Sequence, residues 1–338
     1  MKKRESMLYV IPIESYDQRY TEQWNRWFPA YLDSQNIPHR VIYGNTEIAS
    51  LNEEDVLDLF GTHRYKYDQL SQIVSLIQSG EITDGDIIFF HTLWFTGIDS
   101  LQYIRQSLGI NFKLVGVLHA GSYDPWDFRT RYGMRSWAIY LERSWLAFID
   151  NILVSSKFHK SLILESINIP EEKIKVVRLP IVVAEILDGR KNKKKEDIVA
   201  FPHRNVPEKD PDIVNRLRQK LPNVKFVQTR EICNTKQDFY DLLAKCKICI
   251  SNSFQETFGY SVIEATVLGC IPLVPDRLCY SEMYPDEFRF QNESDLVEKI
   301  EYYLNNWSDP RESKSISKLI VECDNAVHDI IEVVLSCA

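Results

Sequence analysis

Short apolar runs recur along the chain, separated by longer stretches in which apolar residues return every three or four positions. The runs at 8–13, 40–43, 86–90, 113–118 and 151–154 have strand length and end in polar or turn-forming residues. Between them, stretches such as 21–34 and 67–79 are amphipathic at helical period. Strand, helix, strand in succession is the pattern of parallel crossover units, because parallel strands need a long return connection. The alternation stops at a charged stretch around 188–197, rich in lysine, and restarts with runs at 198–201, 224–228, 248–251 and 271–274. This predicts two doubly wound α/β domains: an N-terminal domain over 1–183, a solvated linker at 184–197 and a C-terminal domain over 198–310. A C-terminal helix over 311–338 is expected to pack back on the first domain. Trp24, Trp27 and Phe28 fall at helical spacing and read as core.

Composition changes this picture little. The 338 residues exceed what one core usually serves. Net charge is -8, which argues against general attraction to polyanions and leaves room for a local basic patch. All seven cysteines lie in the second half, and Cys246 and Cys249 form a lone CxxC with no second pair to complete a zinc site. They read as reduced thiols of a cytoplasmic protein. No run approaches the roughly 20 apolar residues that cross a bilayer. Asp210-Pro-Asp212 has the form of a DxD metal motif, but its place before a helix makes Asp212 an N-terminal helix acid. No metal is expected.

The candidate chemistry concentrates at 251–274. A buried strand ends at Ser251, a polar loop follows with Glu256, and a helical stretch starts at Tyr260 and stops at Gly269. Ligands of open α/β sheets bind beyond the carboxyl ends of strands, and a helix N-terminus there presents unpaired amides and a positive dipole end to a diphosphate. Glu256 and Glu264 flank that helix start, where carboxylates suit sugar hydroxyls.

Glu256 and Glu264, with seven residues between them, stand in the frame Glu-Thr-Phe-Gly-Tyr-Ser-Val-Ile-Glu-Ala-Thr-Val-Leu-Gly-Cys-Ile-Pro. This resembles the E-x7-E signature of retaining GT-B glycosyltransferases of family 4. The stretch 201–209 resembles that family's arginine-and-lysine loop for the donor diphosphate, and 115–119 the strand whose terminal histidine reaches the donor sugar. The resemblance implies two Rossmann-like domains facing a cleft and no cofactor beyond a nucleotide-sugar co-substrate, with UDP-glucose the default. Arg204 and Lys209 would neutralise the diphosphate. Thr257, Phe258, Gly259 and Tyr260 would present the helix start, Glu264 would hold the ribose, and Glu256 and His119 would act at the sugar. A sugar-nucleotide epimerase of the same architecture and an inactive binding module share these features.

The loop after the first strand lacks the glycines common in the family. Its continuation, Arg19-Tyr20-Thr21-x-Gln23-Trp24-x-Arg26-Trp27-Phe28-Pro29, resembles glycosyltransferase-like proteins of bacteriophage genomes. That resemblance implies a 5-hydroxymethylpyrimidine of phage DNA as acceptor, in a host cytoplasm. The alternative acceptor is a small molecule, lipid or polysaccharide. Glu14, Arg19, Tyr20, Arg129, Arg131 and Arg135 are the acceptor candidates. Arg143, Lys157, His159 and Lys160 extend the basic patch, with Trp126, Phe128, Tyr132 and Trp137 interleaved.

Overall fold

The computed structural model describes residues 6–15, 20–45, 58–191 and 193–337. One sheet comprises β1 (Leu8–Ile11), β2 (His39–Val41), β3 (Ile87–Phe90), β4 (Lys113–Val117), β5 (Asn151–Val154) and β6 (Ile174–Val176), in spatial order β2-β1-β3-β4-β5-β6. The other comprises β7 (Glu196–Phe201), β8 (Lys225–Gln228), β9 (Cys246–Ile250), β10 (Ile271–Pro275) and β11 (Arg289–Phe290), in order β11-β10-β9-β7-β8. Every pairing is parallel. β6 and β11 were not foreseen: at three and two residues they are too short for a hydrophobic run to reveal.

The two sheets share one winding. In each, the first strand lies between the second and the third, so the chain reverses direction across the sheet at β1/β3 and at β7/β9. Such switch points open a crevice beyond the carboxyl ends of the strands. The loops after β1 and β3, and after β7 and β9, are therefore where the fold can hold a ligand.

Alternation along the strands sorts the core. Leu8 and Val10 of β1, Ile87 and Phe89 of β3, and Val115 and Val117 of β4 point to one face of the first sheet. They pack with Trp24, Phe28 and Leu32 of the helix Tyr20–Ser34, in a core continuous with that of the second domain. Tyr9, Ile11, Ile88, Phe90 and Leu114 point to the other face, beneath the helices Leu59–Gln78, Ile98–Leu108, Arg135–Phe148 and Lys157–Ser166.

Between β6 and β7 the chain passes from one sheet to the other through a short helix, Val183–Leu187, so the stretch expected to be linker is partly folded. The single C-terminal helix expected over 311–338 is instead two, Lys314–Asp324 and Ala326–Leu335, joined at Asn325. The break lets each helix bury its own stripe. The first caps the crossover, where Ile181 N donates to Cys323 O at 3.1 Å. The second lies on the helix Tyr20–Ser34, with Tyr31 Oη 2.7 Å from His328 Nδ1.

Candidate active site in the interdomain cleft

Residues beyond the carboxyl ends of both sheets line one cleft of ≈ 430 Å³. The second domain contributes its more highly charged wall. Pro202 to Lys209 leave β7 in a loop carrying Arg204 and Lys209, while Glu256 to Gly259 leave β9. Lys209 Nζ donates to Glu256 Oε2 at 3.0 Å and to the Gln255 carbonyl at 2.5 Å. Burial disfavours a charge on Glu256, but the Lys209 ammonium outweighs it, and the carboxyl ionises below the ordinary glutamate range. Gly259 sits in the left-handed region, φ 84°, as the cap of the helix Tyr260–Val267. The first amides of that helix have no partner within it, so they point a positive end into the cleft.

Glu264 lies one turn along the helix and is 2% exposed. Its Oε1 is held by Lys236 Nζ at 2.6 Å and by Tyr240 Oη at 2.8 Å. Tyr240 in turn accepts from Gln23 Nε2 of the first domain at 3.0 Å. Arg230, beyond the end of β8, also faces the cleft. Burial and the neighbouring Arg204 guanidinium lower its pKa.

The first domain supplies His119, just past the end of β4, with its Nε2 2.7 Å from the His91 carbonyl. A carbonyl only accepts, so Nε2 carries the proton and Nδ1 is an acceptor. Tyr20 Oη stands 3.5 Å from Nδ1. Burial depresses the imidazole to about 4, so it is neutral at pH 7. The domains meet around this histidine. Thr257 Oγ1 donates to the His119 carbonyl at 3.0 Å, and Trp24 Nε1 donates to Tyr260 Oη at 2.8 Å. The Tyr20 and Tyr260 rings stack at 4.5 Å and 9°. The side chains of Thr257 and Tyr260 thus join the domains, a role the sequence reading had not assigned them.

His119, Tyr20, Arg129, Arg204, Lys209, Glu256, Thr257, Phe258, Gly259, Tyr260 and Glu264 all line the cleft. Among the described acceptor candidates, only Tyr20 and Arg129 line it. Glu14 is buried behind the wall, accepting from Thr62 Oγ1 at 2.8 Å. Arg129 is 6% exposed, paired with Asp127 through two hydrogen bonds and lying 3.9 Å over the Trp94 ring. It is therefore no free phosphate ligand. Arg131 pairs with Glu208 of the second domain at 2.8 Å. Arg135 is exposed on a separate helix, and His159 is buried against Tyr123, so neither joins a single basic face in the cleft. Arg19 lies outside the described residues. The sequence reading missed Arg230, Lys236, Tyr240 and His203. Arg230 was legible, since it follows a strand's carboxyl end in a doubly wound sheet. The other three have their roles through distant partners.

No protein-family model matches the chain. Sucrose-phosphate synthase from Thermosynechococcus elongatus superposes with a TM-score of 0.62 at 13% identity, over 98% of this chain and 97% of that one. The catalytic domain of starch synthase IV from Arabidopsis thaliana, bound to ADP and acarbose, gives 0.62 at 10% identity over 98% and 99%. The fold is GT-B. A mutant of TarM from S. aureus, in complex with fondaparinux, alpha-GlcNAc-glycerol and UDP, matches with 0.53 at 18% identity, over 80% of this chain and 59% of that one. In sequence, the tRNA-queuosine alpha-mannosyltransferase of Drosophila melanogaster is 30% identical over 106 residues, 31% of this chain. The match spans about a quarter of that relative (26%). Among the described residues, no helix is long and apolar enough to cross a membrane.

Proposed function

We propose that the protein is a glycosyltransferase that moves a sugar from a nucleoside-diphosphate donor to a hydroxyl on a modified nucleobase of a nucleic acid. The observation that carries the donor half is the convergence of Arg204, Lys209, Arg230 and a helix N-terminus on one wall of a GT-B cleft, beside the buried Glu264. The partners named for the neighbours support it: UDP in the TarM complex and ADP in the starch synthase complex. A distant relative that acts on tRNA-queuosine supports a nucleobase acceptor. The phage-like pattern at 19–29 favours a 5-hydroxymethylpyrimidine in DNA, and the tRNA-acting relative favours RNA as the second candidate.

The chemistry follows from where charge develops. The bond from the anomeric carbon to the phosphate oxygen breaks, and a bond from that carbon to the acceptor oxygen forms. The acceptor's proton passes to the departing phosphate on the same face, with retention. Arg204, Lys209, Arg230 and the amides after Gly259 meet negative charge that grows on the leaving diphosphate, where fixed donors act most effectively. Glu264, oriented by Lys236 and Tyr240, binds the ribose hydroxyls. Neutral His119 accepts from a sugar hydroxyl through Nδ1, and Glu256 fixes the sugar from the opposite wall. Side-chain cations do the work of charge neutralisation, so chelation by EDTA is expected to leave turnover unchanged.

Purified protein is incubated with labelled UDP-glucose, ADP-glucose or GDP-mannose and one of four acceptors: DNA carrying 5-hydroxymethylcytosine, DNA carrying 5-hydroxymethyluracil, unmodified DNA, or tRNA. Mass spectrometry then follows both products. Label in a modified nucleic acid alone supports the reading. A changed nucleotide sugar with no acceptor product indicates an epimerase, and label only in a small molecule or glycan overturns the acceptor assignment.

A further inference from the structure

The helix Arg135–Phe148 buries Ala138, Trp145 and Leu146 yet leaves large apolar side chains outside. Its one acid, Glu142, is 1% exposed and accepts from Ser122 N at 2.7 Å and Ser122 Oγ at 2.6 Å. Its outward face instead carries Trp137, Tyr140 and Leu141, at 50%, 66% and 40% exposure. Tyr132 stands out just before it, at 72%. Such a cluster of exposed large apolar side chains marks an interaction site.

Within the segment Trp126–Phe148 the exposed charges have one sign. From Trp126 to Phe148 both acids, Asp127 and Glu142, are buried and hydrogen-bonded, whereas the cations Arg135 and Arg143 are exposed. Arg143 lies over the Tyr140 ring, 5.9 Å from its centroid. In a chain of net charge -8, an exposed segment with arginines and no exposed acid is a local attraction for an anion. The two arginines are eight residues apart on the helix, about 12 Å along its axis. The segment leads straight to the cleft: Trp126, at its start, stacks on Phe254 at 4.8 Å and 18°, and Phe128 and Arg129 line the cleft wall.

We propose that this face is a docking surface for a single-stranded or locally opened nucleic acid, whose bases stack on Tyr132, Trp137 and Tyr140 while Arg135 and Arg143 meet its phosphates. Aromatic faces interleaved with arginines are the combination that holds unpaired strands without reading sequence. The proposal rests on the acceptor being a nucleic acid and adds where the polymer lies. A base delivered from this face to the cleft must leave its stack, and an enzyme acting on a base in a duplex has to extrude it.

The test measures fluorescence anisotropy of a labelled 20-mer of mixed sequence, as single strand and as duplex, at several salt concentrations. The proteins are the wild type, the double variant Trp137→Ala/Tyr140→Ala, and Arg135→Glu/Arg143→Glu. The proposal expects the single strand to bind more tightly than the duplex. It also expects each variant to weaken binding at least tenfold, with a shallower salt dependence for the charge reversal. UDP affinity by calorimetry is unchanged in both, because none of these four side chains lines the cleft. Wild-type-like oligonucleotide binding by both variants, or no binding by the wild type at low salt, overturns the proposal. So does loss, in the same variants, of binding to phosphatidylglycerol vesicles with oligonucleotide binding intact. Transfer to hydroxymethylated DNA with an unchanged KM in the variants defeats the docking surface and leaves the acceptor reading standing. Oligonucleotide binding lost in the variants, with no nucleic acid ever accepting sugar, supports the surface and defeats the acceptor reading.

Discussion

The acid at the centre of the proposed donor site is held, not free. Glu264 is buried with Lys236 and Tyr240 on the same oxygen, so its charge is compensated before any ligand arrives. Removing the carboxylate leaves Lys236 and Tyr240 without their shared acceptor. Glu264→Ala is expected to weaken UDP binding by about 1.5–3 kcal/mol in calorimetry, roughly ten- to hundredfold. Lys236→Met is expected to weaken it too, although Lys236 is assigned no ligand contact, because the carboxylate loses its orientation. Affinity unchanged in both variants would end the ribose assignment. Lys209 differs, since its contacts to Glu256 and the Gln255 carbonyl fix a loop as well as a charge. Lys209→Ala is expected to lower kcat more than it raises KM, because the diphosphate's charge grows in the transition state.

Among the elements, the helix Tyr260–Val267 shows how a short segment can depend on one glycine. Gly259 must take φ 84°, and a Cβ there would come within 3.0 Å of the Tyr280 ring. An alanine in the left-handed region costs about 1–2 kcal/mol before that contact is counted. Gly259→Ala is therefore expected to lower the free energy of unfolding by at least that much, read from urea titrations. It is also expected to weaken UDP binding, since the first amides would shift from the cleft. Full stability and affinity would show that the turn has room the geometry does not suggest. The neighbouring helix Lys236–Leu243 begins with a reciprocal capping box between Thr235 and Asp238, which fixes the position of Lys236 at its first turn. That box is readable in the sequence, but its consequence for Glu264 is not.

For the whole molecule, three buried histidines and the half-buried His119 make stability depend on acidity. Burial depresses His91, His159 and His203 to about 3 and His119 to about 4. In the unfolded chain each titrates near 6.5. Below that pH the unfolded state takes up protons that the folded state refuses, so stability present above pH 6.5 is lost as the pH falls toward 4. The loss is on the order of 1 kcal/mol per histidine for each pH unit. Urea midpoints measured from pH 7 to 5, above the range where carboxylates dominate, are expected to fall steadily, and His159→Gln is expected to flatten the slope. A level profile in that window contradicts the account. His119 and His203 both line the cleft, so acid is also expected to open the interface that Thr257, Tyr260 and Trp24 close.

Local pattern alone determined that there are two wound domains and that the loop from Glu256 to Gly259 stands at a strand's carboxyl end. Each of these depends on residues within about one turn or one strand of each other, and periodicity records such neighbours directly. Trp24 and Phe28 read as core and are buried, yet Trp24 also holds Tyr260, a residue 236 positions away. The tertiary structure decided which charges are free. Arg129 and Arg131 read as members of a basic patch, but Asp127 and Glu208 take them, while Glu142 turns inward and leaves its helix with arginines and aromatics outside. It also decided that Glu264 answers to Lys236 and, through Tyr240, to Gln23. The spacing of side chains along the chain says nothing of such pairs. They exist only because two sheets of the same winding bring the ends of distant strands to one cleft, where a buried charge must find a partner.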